Sequence, residues 1–340
     1  MGVVITMRKE QAATSAMTEL VALVEPEMEA VNALITRQLE HDVQLIPEVS
    51  AHLIDAGGKR LRPMLTIATS RMCGYRQGSK HITLASAVEF LHTATLLHDD
   101  VVDVSDMRRG RDTANKIWGN QAAILVGDYL ISKTFQMLVR ETSERILQVL
   151  ADAAVIISSG EVLQLSNQHK VDATEADYLR VVDAKTAALF AAACEVSAVL
   201  ADRPASEQEA LSGYGRYLGI AFQLVDDVLD YRARQSDIGK AVGDDFREGK
   251  MTLPVVLAVQ QATEDERKFW SRVLEDGAKH KRGDFKQALG LMEKYGTLDE
   301  TVRRARDYGD KARGALTLFP DCPERTALEG IVEFCISRAY

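Results

Sequence analysis

Two copies of the pattern Asp-Asp-x-x-Asp, at residues 99–103 and 226–230, are the strongest indication of chemistry in this sequence. If each copy lies on a helix, its first and last aspartates share one face and repel each other. Carboxylates are costly to bury unless they are paired or bind a metal. Mg²⁺ takes oxygen ligands, usually one or two carboxylates plus substrate phosphates, so the pattern predicts a magnesium and phosphate site. The predicted metal-binding residues are Asp99, Asp100, Asp103, Asp226, Asp227 and Asp230.

The residues that surround both motifs are apolar. A Leu-Leu pair lies just before the first copy and a Leu-Val pair just before the second, while Val-Val and Val-Leu fill the two middle positions of the motifs. The alternative interpretation, two helix ends on a solvated face, would not need these apolar neighbours. A helix that is apolar apart from one acidic stripe is typical of the interior of a large bundle. The pattern therefore favours two buried helices whose carboxylates face a common ligand.

Basic residues form a second candidate group at residues 57–63, which read GGKRLRP. Lys59 and Arg62 lie beside a predicted helix start, where guanidinium groups and helix N–H donors can bind phosphate. His92 lies seven residues before Asp99, two turns away on nearly the same helical face. A basic surface loop and a core histidine are the ordinary alternatives for these residues, and both stay open on the sequence alone.

Two further polar groups lie in predicted helices or loops. Lys185 and Thr186 interrupt an alanine-rich segment, where a buried lysine needs an anionic partner, although a lysine that reaches the surface is as common. Gln223 comes just before the second acidic motif. After that motif, Lys240 and Lys250 bound a loop punctuated by glycines, and both lysines could close over a bound phosphate.

Other classes of site are less well supported. Glu89 and His92 match the Glu-x-x-His element of di-iron bundles, but such sites need two elements and the sequence has one. There is no Walker A spacing and no G-x-G-x-x-G after a strand, so ATP and dinucleotides are not indicated. The formal net charge of −9 argues against nucleic-acid binding, which needs a basic patch.

Apolar residues recur at helical spacing along most of the 340 residues, and strand-like alternation is hard to find. Since no linker rich in glycine, serine or proline interrupts the chain, we predict one all-α domain over residues 1–340, with residues 1 to about 15 loose. No run approaches the roughly 18 apolar residues of a membrane span, and four scattered cysteines show no metal spacing, so we expect a cytoplasmic protein. Predicted helical segments lie near residues 82–105, 120–141, 143–169, 175–201, 206–233 and 252–263.

Taken together, these motifs resemble those of the trans-isoprenyl diphosphate synthases, from about Gly57 to Pro254. The resemblance implies the isoprenoid synthase fold, a single bundle of mostly antiparallel helices around a deep central cavity, usually a homodimer. The two acidic motifs would face each other across the mouth of that cavity. The matching stretches, in the order of the family, are GGKRLRP, LLHDDVVD with DMRRG, GD at 127–128, GE at 160–161, KT at 185–186, FQLVDDVLD and GDDFREGKMTLP.

The resemblance also implies the reaction, in which isopentenyl diphosphate condenses head to tail with an allylic diphosphate. Mg²⁺, three ions with the bound diphosphate, would be held by Asp99, Asp103 and Asp226 and would stabilise the leaving diphosphate. Thr186 and Gln223 would steady the cation and the leaving group. The implied diphosphate contacts are Arg108, Lys185 and Lys240 for the allylic substrate, and Lys59, Arg62, His92 and Arg109 for isopentenyl diphosphate.

Product length is expected to depend on the residues before the first acidic motif. In the family, a bulky residue five positions before the first aspartate, or next to it, stops growth early. Here these positions are Ala94 and Thr95, both small, while Leu91 and Phe90 lie further along the helix. The sequence therefore favours a long product of eight to ten isoprene units, as used in quinone side chains.

The sequence leaves three alternatives to a long-chain synthase. A short-chain synthase would make farnesyl or geranylgeranyl diphosphate. A non-catalytic subunit of a heteromeric synthase would be expected to lose aspartates or cations from the motifs, and this chain keeps both. A terpene cyclase would lack the isopentenyl diphosphate site that Lys59 and Arg62 suggest.

Overall fold

The structure, a computed structural model, consists almost entirely of helices. It describes residues 15–232, 243–275 and 280–338, and for residues 2–14 the helical backbone alone. The loose start predicted for residues 1 to about 15 lies outside the fully described residues. In the first half of the chain the elements are α1 (Gly2–Leu39), α2 (Leu45–Asp55), α3 (Leu61–Met72), α4 (Lys80–Val102), β1 (Met107–Arg108), β2 (Arg111–Asp112), α5 (Ala114–Trp118), α6 (Asn120–Glu141) and α7 (Glu144–Asn167).

The second half of the chain continues the bundle and adds a group of shorter helices. Its elements are α8 (Glu175–Val182), a π turn (Asp183–Ala187), α9 (Ala188–Leu200), α10 (Ala205–Arg232), α11 (Asp244–Arg247), α12 (Leu253–Gln261), α13 (Glu264–Leu274), α14 (Asp284–Lys294), α15 (Thr297–Ala315), a 3₁₀ turn (Leu316–Leu318) and α16 (Pro323–Ser337). The prediction of an all-α protein is confirmed.

Local sequence signals account for several helix boundaries. Thr174 and Asp177 form a reciprocal capping box at the start of α8, and the Ser143 hydroxyl accepts from the backbone N–H of Ile146 at the start of α7. Pro254 lies in the first turn of α12, where its missing N–H costs nothing. The segment that the sequence predicts as one helix over 175–201 is instead α8, the π turn and α9, because apolar periodicity does not register one inserted residue.

Three clusters of buried apolar side chains hold the bundle together. The first lies among α1, α3, α4, α6, α10 and α16, and the second among α8, α10 and α12–α15. The third lies among α4, α6, α7 and α9. Helix α9 packs against both α4 and α10, the two helices that carry the acidic motifs, and so sets the distance between the motifs.

Two long helices of the described residues, α6 and α7, contain markedly apolar stretches. By length and composition alone they could cross a membrane, with mean hydropathy of 1.3 and 1.7 over their most apolar windows, which are 44% and 33% buried in the protein. Asp128 and Asp152 interrupt their apolar runs, which is why no uninterrupted span is visible in the sequence. A core helix of a soluble protein meets the same criteria.

Candidate diphosphate and metal site

The first acidic motif lies at the C-terminal end of α4. The helix ends at Val102, and the backbone N–H of Asp103 still bonds the carbonyl of Asp99, at 2.8 Å. Asp99 Oδ2 lies 3.3 Å from Lys185 Nζ, and Asp103 Oδ2 lies 2.9 Å from Lys250 Nζ. Burial raises the pKa of Asp103, but the charges of Lys250 and Lys185 outweigh it, and the net shift is downward. Two carboxylates of this motif therefore meet lysines from other elements.

Asp100, between them, has a different role. It is 1% exposed, and both of its oxygens accept from Arg108 Nε, at 2.8 and 3.0 Å. Arg108 lies on β1, just before a two-residue turn at Arg109 and Gly110 whose positive φ angles, 53° and 77°, fit a tight hairpin. Asp100 thus anchors the hairpin to α4.

The second acidic motif lies near the end of α10. Asp226 Oδ1 accepts from Arg338 Nη2 at 2.8 Å. Burial raises the pKa of Asp226, against the opposing charge of Arg338. Arg338 follows α16, and sequence reasoning missed it because no motif surrounds it and the contact joins residues 112 positions apart.

The other two aspartates of this motif bond protein groups. Asp227 accepts from Tyr178 Oη at 2.6 Å and from Gln223 Nε2 at 2.8 Å. Asp230 accepts from the backbone N–H of Asp245 at 3.2 Å, at the start of α11. Burial, and then the charge of Asp245, raises the pKa of Asp227 to about 8 and that of Asp230 to about 7. Within the described residues, Asp226 is the carboxylate of this motif that pairs with a cation.

Lys185 and Thr186 lie in the π turn, where the backbone bulges between α8 and α9. Lys185 Nζ lies 2.8 Å from Glu161 Oε2 on α7, in addition to its contact with Asp99. Burial lowers the pKa of Lys185, but the charges of Asp99 and Glu161 outweigh this effect. The net shift is upward, so the ammonium stays charged. Burial, and then the charge of Asp99, raises the pKa of Glu161 to about 7.

Glycines on two helices make room for this π turn. A Cβ at Gly160 of α7 would lie 2.7 Å from Ala184 Cβ and 3.0 Å from the backbone nitrogen of Lys185. A Cβ at Gly219 of α10 would lie 2.7 Å from Ala187 Cα. The GE motif at 160–161 therefore combines a close approach with the carboxylate that holds Lys185.

Of the two lysines predicted to close over a phosphate, the structure describes only Lys250. Lys240 lies outside the described residues. Lys250 contacts Asp103 and, at 2.7 Å, Glu248 Oε2. Burial lowers the pKa of Lys250, but Asp245, Asp103 and Glu248 together raise it. Lys250 therefore connects the first motif to the loop that follows the second.

The basic group predicted at residues 59–62 meets His92 on α4. Arg62 Nη1 lies 3.2 Å from His92 Nε2, and its guanidinium lies 4.2 Å from the ring centre of Phe190. Because a guanidinium only donates, Nε2 of His92 accepts and Nδ1 carries the proton. Burial, and then the charge of Arg62, holds the pKa of His92 well below its usual range, so the imidazole is neutral. Burial also lowers the pKa of Arg62 to about 10.

Lys59 and Arg109 complete this basic group. A Cβ at Gly58 would lie 2.6 Å from Arg109 Nη1, which places the hairpin directly against the loop after α2. Lys59 Nζ lies 4.7 Å from the ring centre of Phe334 on α16, and burial lowers its pKa. Charges from Asp226 and Arg338 also act on Lys59, so this basic group borders the second acidic motif.

Three of the four residues expected to set product length lie in two different apolar clusters. Leu91 is 2% exposed and packs in the third apolar cluster, among α6, α7 and α9. Phe90 and Ala94 pack in the first cluster, on another side of α4. Thr95 is partly exposed, and its hydroxyl donates to the carbonyl of His92 at 2.8 Å.

An open cavity brings many of these groups together. Charged and polar side chains line it from α7, α8, the π turn, α10 and the loop before α12. The residues of the predicted site that line it are Lys185, Thr186, Gln223, Asp227 and Lys250. It lies beside the pairs that Asp99 and Asp103 make with Lys185 and Lys250.

The donor set suits Mg²⁺ bound together with a phosphate group. Among the described residues, no three His, Cys, Asp or Glu side chains are close enough to hold a metal alone. Mg²⁺ usually needs only one or two carboxylates, because substrate phosphates and waters supply the other oxygens. Asp99, Asp103 and Asp226 present such carboxylates, each beside a cation that can transfer to a phosphate oxygen. These carboxylate and cation pairs are the groups that a protein would need to bind a diphosphate together with a divalent metal.

Comparisons with known proteins identify the family. The polyprenyl synthetase family matches residues 43–292. An octaprenyl diphosphate synthase of Escherichia coli (strain K12) is 46% identical over 312 residues, covering 92% of this chain and 96% of that protein. The chain therefore belongs to the polyprenyl synthetase family, and the resemblance found in the sequence is confirmed.

Solved structures agree. A decaprenyl diphosphate synthase from Rhodobacter capsulatus is 49% identical, with a TM-score of 0.91, over 95% of this chain and 99% of that one. A polyprenyl synthase from Caulobacter crescentus CB15, complexed with calcium and isoprenyl diphosphate, is 47% identical, also with a TM-score of 0.91, over 95% and 98%. These neighbours confirm the isoprenoid synthase fold.

The close approach at Gly160 can be tested by stability. We expect Gly160→Ala to lower the free energy of unfolding by about 1–3 kcal/mol, because its methyl group would push against the π turn. The measurement is urea denaturation followed by circular dichroism. Gly290→Ala in α14 is the matched control, since a Cβ there meets nothing within 4 Å. The control should gain up to about 1 kcal/mol. Equal stability of the two variants would contradict the argument.

Proposed function

We propose that this chain is a Mg²⁺-dependent prenyltransferase, a long-chain all-trans polyprenyl diphosphate synthase. It would add isopentenyl diphosphate repeatedly to an allylic diphosphate such as farnesyl diphosphate, giving octaprenyl to decaprenyl diphosphate for quinone side chains. The observation that carries the proposal is the set of three carboxylates, Asp99, Asp103 and Asp226, each paired with a cation. The octaprenyl and decaprenyl synthases among its relatives support a long product.

The proposed allylic site uses both acidic motifs. Mg²⁺, proposed as three ions with the diphosphate, would supply positive charge to neutralise the leaving diphosphate. Asp99, Asp103 and Asp226 would hold the metal. Asp100, Asp227 and Asp230 would instead bond protein groups and so keep the site in shape. Lys185, Lys250 and Arg338 then turn from carboxylates to phosphate oxygens, and Lys240 and Arg108 join them on the same diphosphate.

The proposed isopentenyl diphosphate site is the basic group formed by Lys59, Arg62, His92 and Arg109. Neutral His92 donates from Nδ1 to a phosphate oxygen and adds no further charge among the arginines. Arg62 supplies charge-assisted hydrogen bonds. The alkene then attacks the allylic cation, which Thr186 and Gln223 steady, and a proton leaves to the departed diphosphate.

The product of the purified chain tests this function directly. With Mg²⁺, farnesyl diphosphate and labelled isopentenyl diphosphate, we expect dephosphorylated products of eight to ten isoprene units on reversed-phase chromatography. A product that stops at twenty carbons would establish a short-chain synthase instead. No product from the purified chain would favour a subunit that needs a catalytic partner.

Two single substitutions make that assay specific. Asp99→Asn should lower the rate at least a hundredfold, because it removes a charge that the metal needs. Asp112→Asn is the control. Asp112 lies on the exposed hairpin strand β2, and its carboxylate pairs with Lys116 at the surface, at 2.7 Å. This variant should leave the rate unchanged. Equal losses in the two variants would contradict the assignment.

We also propose that Leu91, Phe90, Ala94 and Thr95 govern product length. Leu91 is best placed for contact with a growing chain, because the third apolar cluster lies below the metal-facing end of α4. A bulkier side chain on this side of α4 would fill space that the product needs. Phe90 and Ala94 would act less directly, from the first cluster.

Substitution on α4 tests the length proposal. We expect Leu91→Phe and Thr95→Phe to shift the product toward shorter chains, since each narrows the apolar path. Chromatography gives the product distribution. The rate of the first condensation serves as the internal control and should change less than threefold. An unchanged distribution in both variants would exclude this side of α4 as the determinant.

We further propose that the protein is a cytoplasmic homodimer that touches membranes only to release product. Apolar residues are exposed on the adjacent helices α6 and α7, with Leu125 67% and Val162 66% exposed. A second copy would cover this apolar face, since soluble proteins rarely leave such a patch open. The exposed apolar residues are Ile124, Leu125 and Val139 on α6, and Val155, Ile156, Val162 and Leu165 on α7.

The dimer is tested with charge substitutions. Leu125→Asp combined with Val162→Asp should yield a monomer in size-exclusion chromatography with light scattering, because two buried charges would face an apolar partner surface. Leu318→Asp is the control, since Leu318 is 59% exposed on a 3₁₀ turn away from both helices. A wild-type monomer would contradict the proposal.

A further inference from the structure

Tyr178 lies in α8, outside every motif found in the sequence, and its hydroxyl reaches the second acidic motif. Its Oη donates to Asp227 Oδ2 at 2.6 Å, and the residue is 7% exposed. The other oxygen of Asp227 accepts from Gln223 Nε2 at 2.8 Å. Gln223 Oε1 accepts from Thr186 Oγ1 at 2.9 Å. Side chains from α8, α10 and the π turn thus form one hydrogen-bonded chain.

This chain of hydrogen bonds has a direction. The amide nitrogen of Gln223 donates to Asp227 Oδ1, and the amide oxygen accepts from the Thr186 hydroxyl. The Thr186 proton is then engaged, and the lone pairs of its hydroxyl remain available to the cavity that Lys185 also lines. The Tyr178 hydroxyl is the outer end of the chain and donates to the Asp227 oxygen that Gln223 leaves unused.

The surroundings of Asp227 fit an orienting role better than a metal-binding one. Asp227 is 3% exposed, and a protein donor engages each of its two oxygens. Its neighbour Asp226 instead pairs with a cation that can leave it. Removing a hydrogen-bond donor from a buried acceptor costs free energy, so the bonds from Tyr178 and Gln223 hold Asp227 in place.

We propose that Tyr178 is a positioning residue for the ionisation step, acting through Asp227 to fix Gln223 and Thr186 beside the reacting allylic carbon. The inference rests on the proposed function. In that step the bond between C1 and the diphosphate oxygen breaks, and the electron pair leaves with the diphosphate. The oxygen of Thr186, held in one orientation, then faces the allylic cation. Tyr178 lines the same cavity, and its effect on the reacting carbon would pass through Asp227.

Tyr178→Phe isolates the hydroxyl, because the ring keeps its place in the second apolar cluster. In a single-turnover assay of one condensation onto farnesyl diphosphate, we expect the rate to fall about tenfold, as for one lost hydrogen bond. The KM for isopentenyl diphosphate and the Mg²⁺ concentration for half-maximal rate should both stay within twofold. Single turnover is used because release of a greasy product can limit the steady-state rate.

Tyr214→Phe is the matched control. Tyr214 is also buried and donates to a carbonyl, that of Leu328, at 2.9 Å, far from the acidic motifs. Its variant should keep the wild-type rate. In a Gln223→Ala background, Tyr178→Phe should cost less than twofold, because the link it supports is already gone.

Each contrary outcome has a distinct meaning. If Tyr178→Phe and Tyr214→Phe have equal rates, the positioning role is wrong while the proposed function stands. If Tyr178→Phe raises the Mg²⁺ requirement, Asp227 is a metal ligand and the inference is overturned. If the wild-type chain forms no prenyl product, the proposed function fails first, and the role of Tyr178 fails with it.

Discussion

The pairing of acidic side chains with cations from distant parts of the chain is the interaction on which this site depends. Asp99 and Asp103 would repel each other on one face of α4 if nothing opposed them. Lys185 and Lys250 supply the opposing charge, at 3.3 and 2.9 Å. Both pairs are partly buried, so the loss of one partner would leave a poorly solvated charge, and these contacts help to fix how α4, the π turn and the loop before α12 sit together.

The same pairing suits a site that must accept a highly charged ligand. A diphosphate with Mg²⁺ brings anionic oxygens for the lysines and metal for the carboxylates. Lys185, Lys250 and Arg338 can exchange one anionic partner for another, with little change in the net charge around each group. The partly buried setting strengthens these interactions relative to water. Such an arrangement is stable before binding and complementary to the ligand after it.

The backbone of the π turn gives Lys185 its reach. Gly160 and Gly219 let α7 and α10 approach this bulge more closely than any residue with a Cβ would allow. Glu161, next to Gly160, then holds the lysine ammonium at 2.8 Å. The GE and KT dipeptides look unrelated in the sequence. In the folded chain they contact each other.

The sequence could predict what depends on helical periodicity and on local residue type. The shared face of Asp99 and Asp103 and the alignment of His92 with them follow from spacing along one helix. The partner of Asp226 could not be predicted, because Arg338 lies 112 residues away and in no motif. The π turn was equally hidden, since one extra residue in a turn leaves the apolar pattern of 175–201 intact.

Residue type also does not reveal which of two adjacent aspartates faces the ligand. Asp100 and Asp227 carry the same carboxylate as their neighbours, yet Arg108 holds one and Tyr178 and Gln223 hold the other. The most direct test of the proposed diphosphate and metal site is isothermal titration of inorganic pyrophosphate into the protein, once in metal-free buffer and once with Mg²⁺. We expect at least tenfold tighter binding with Mg²⁺, and loss of that gain in Asp99→Asn. Equal affinity in the presence and absence of Mg²⁺ would contradict it.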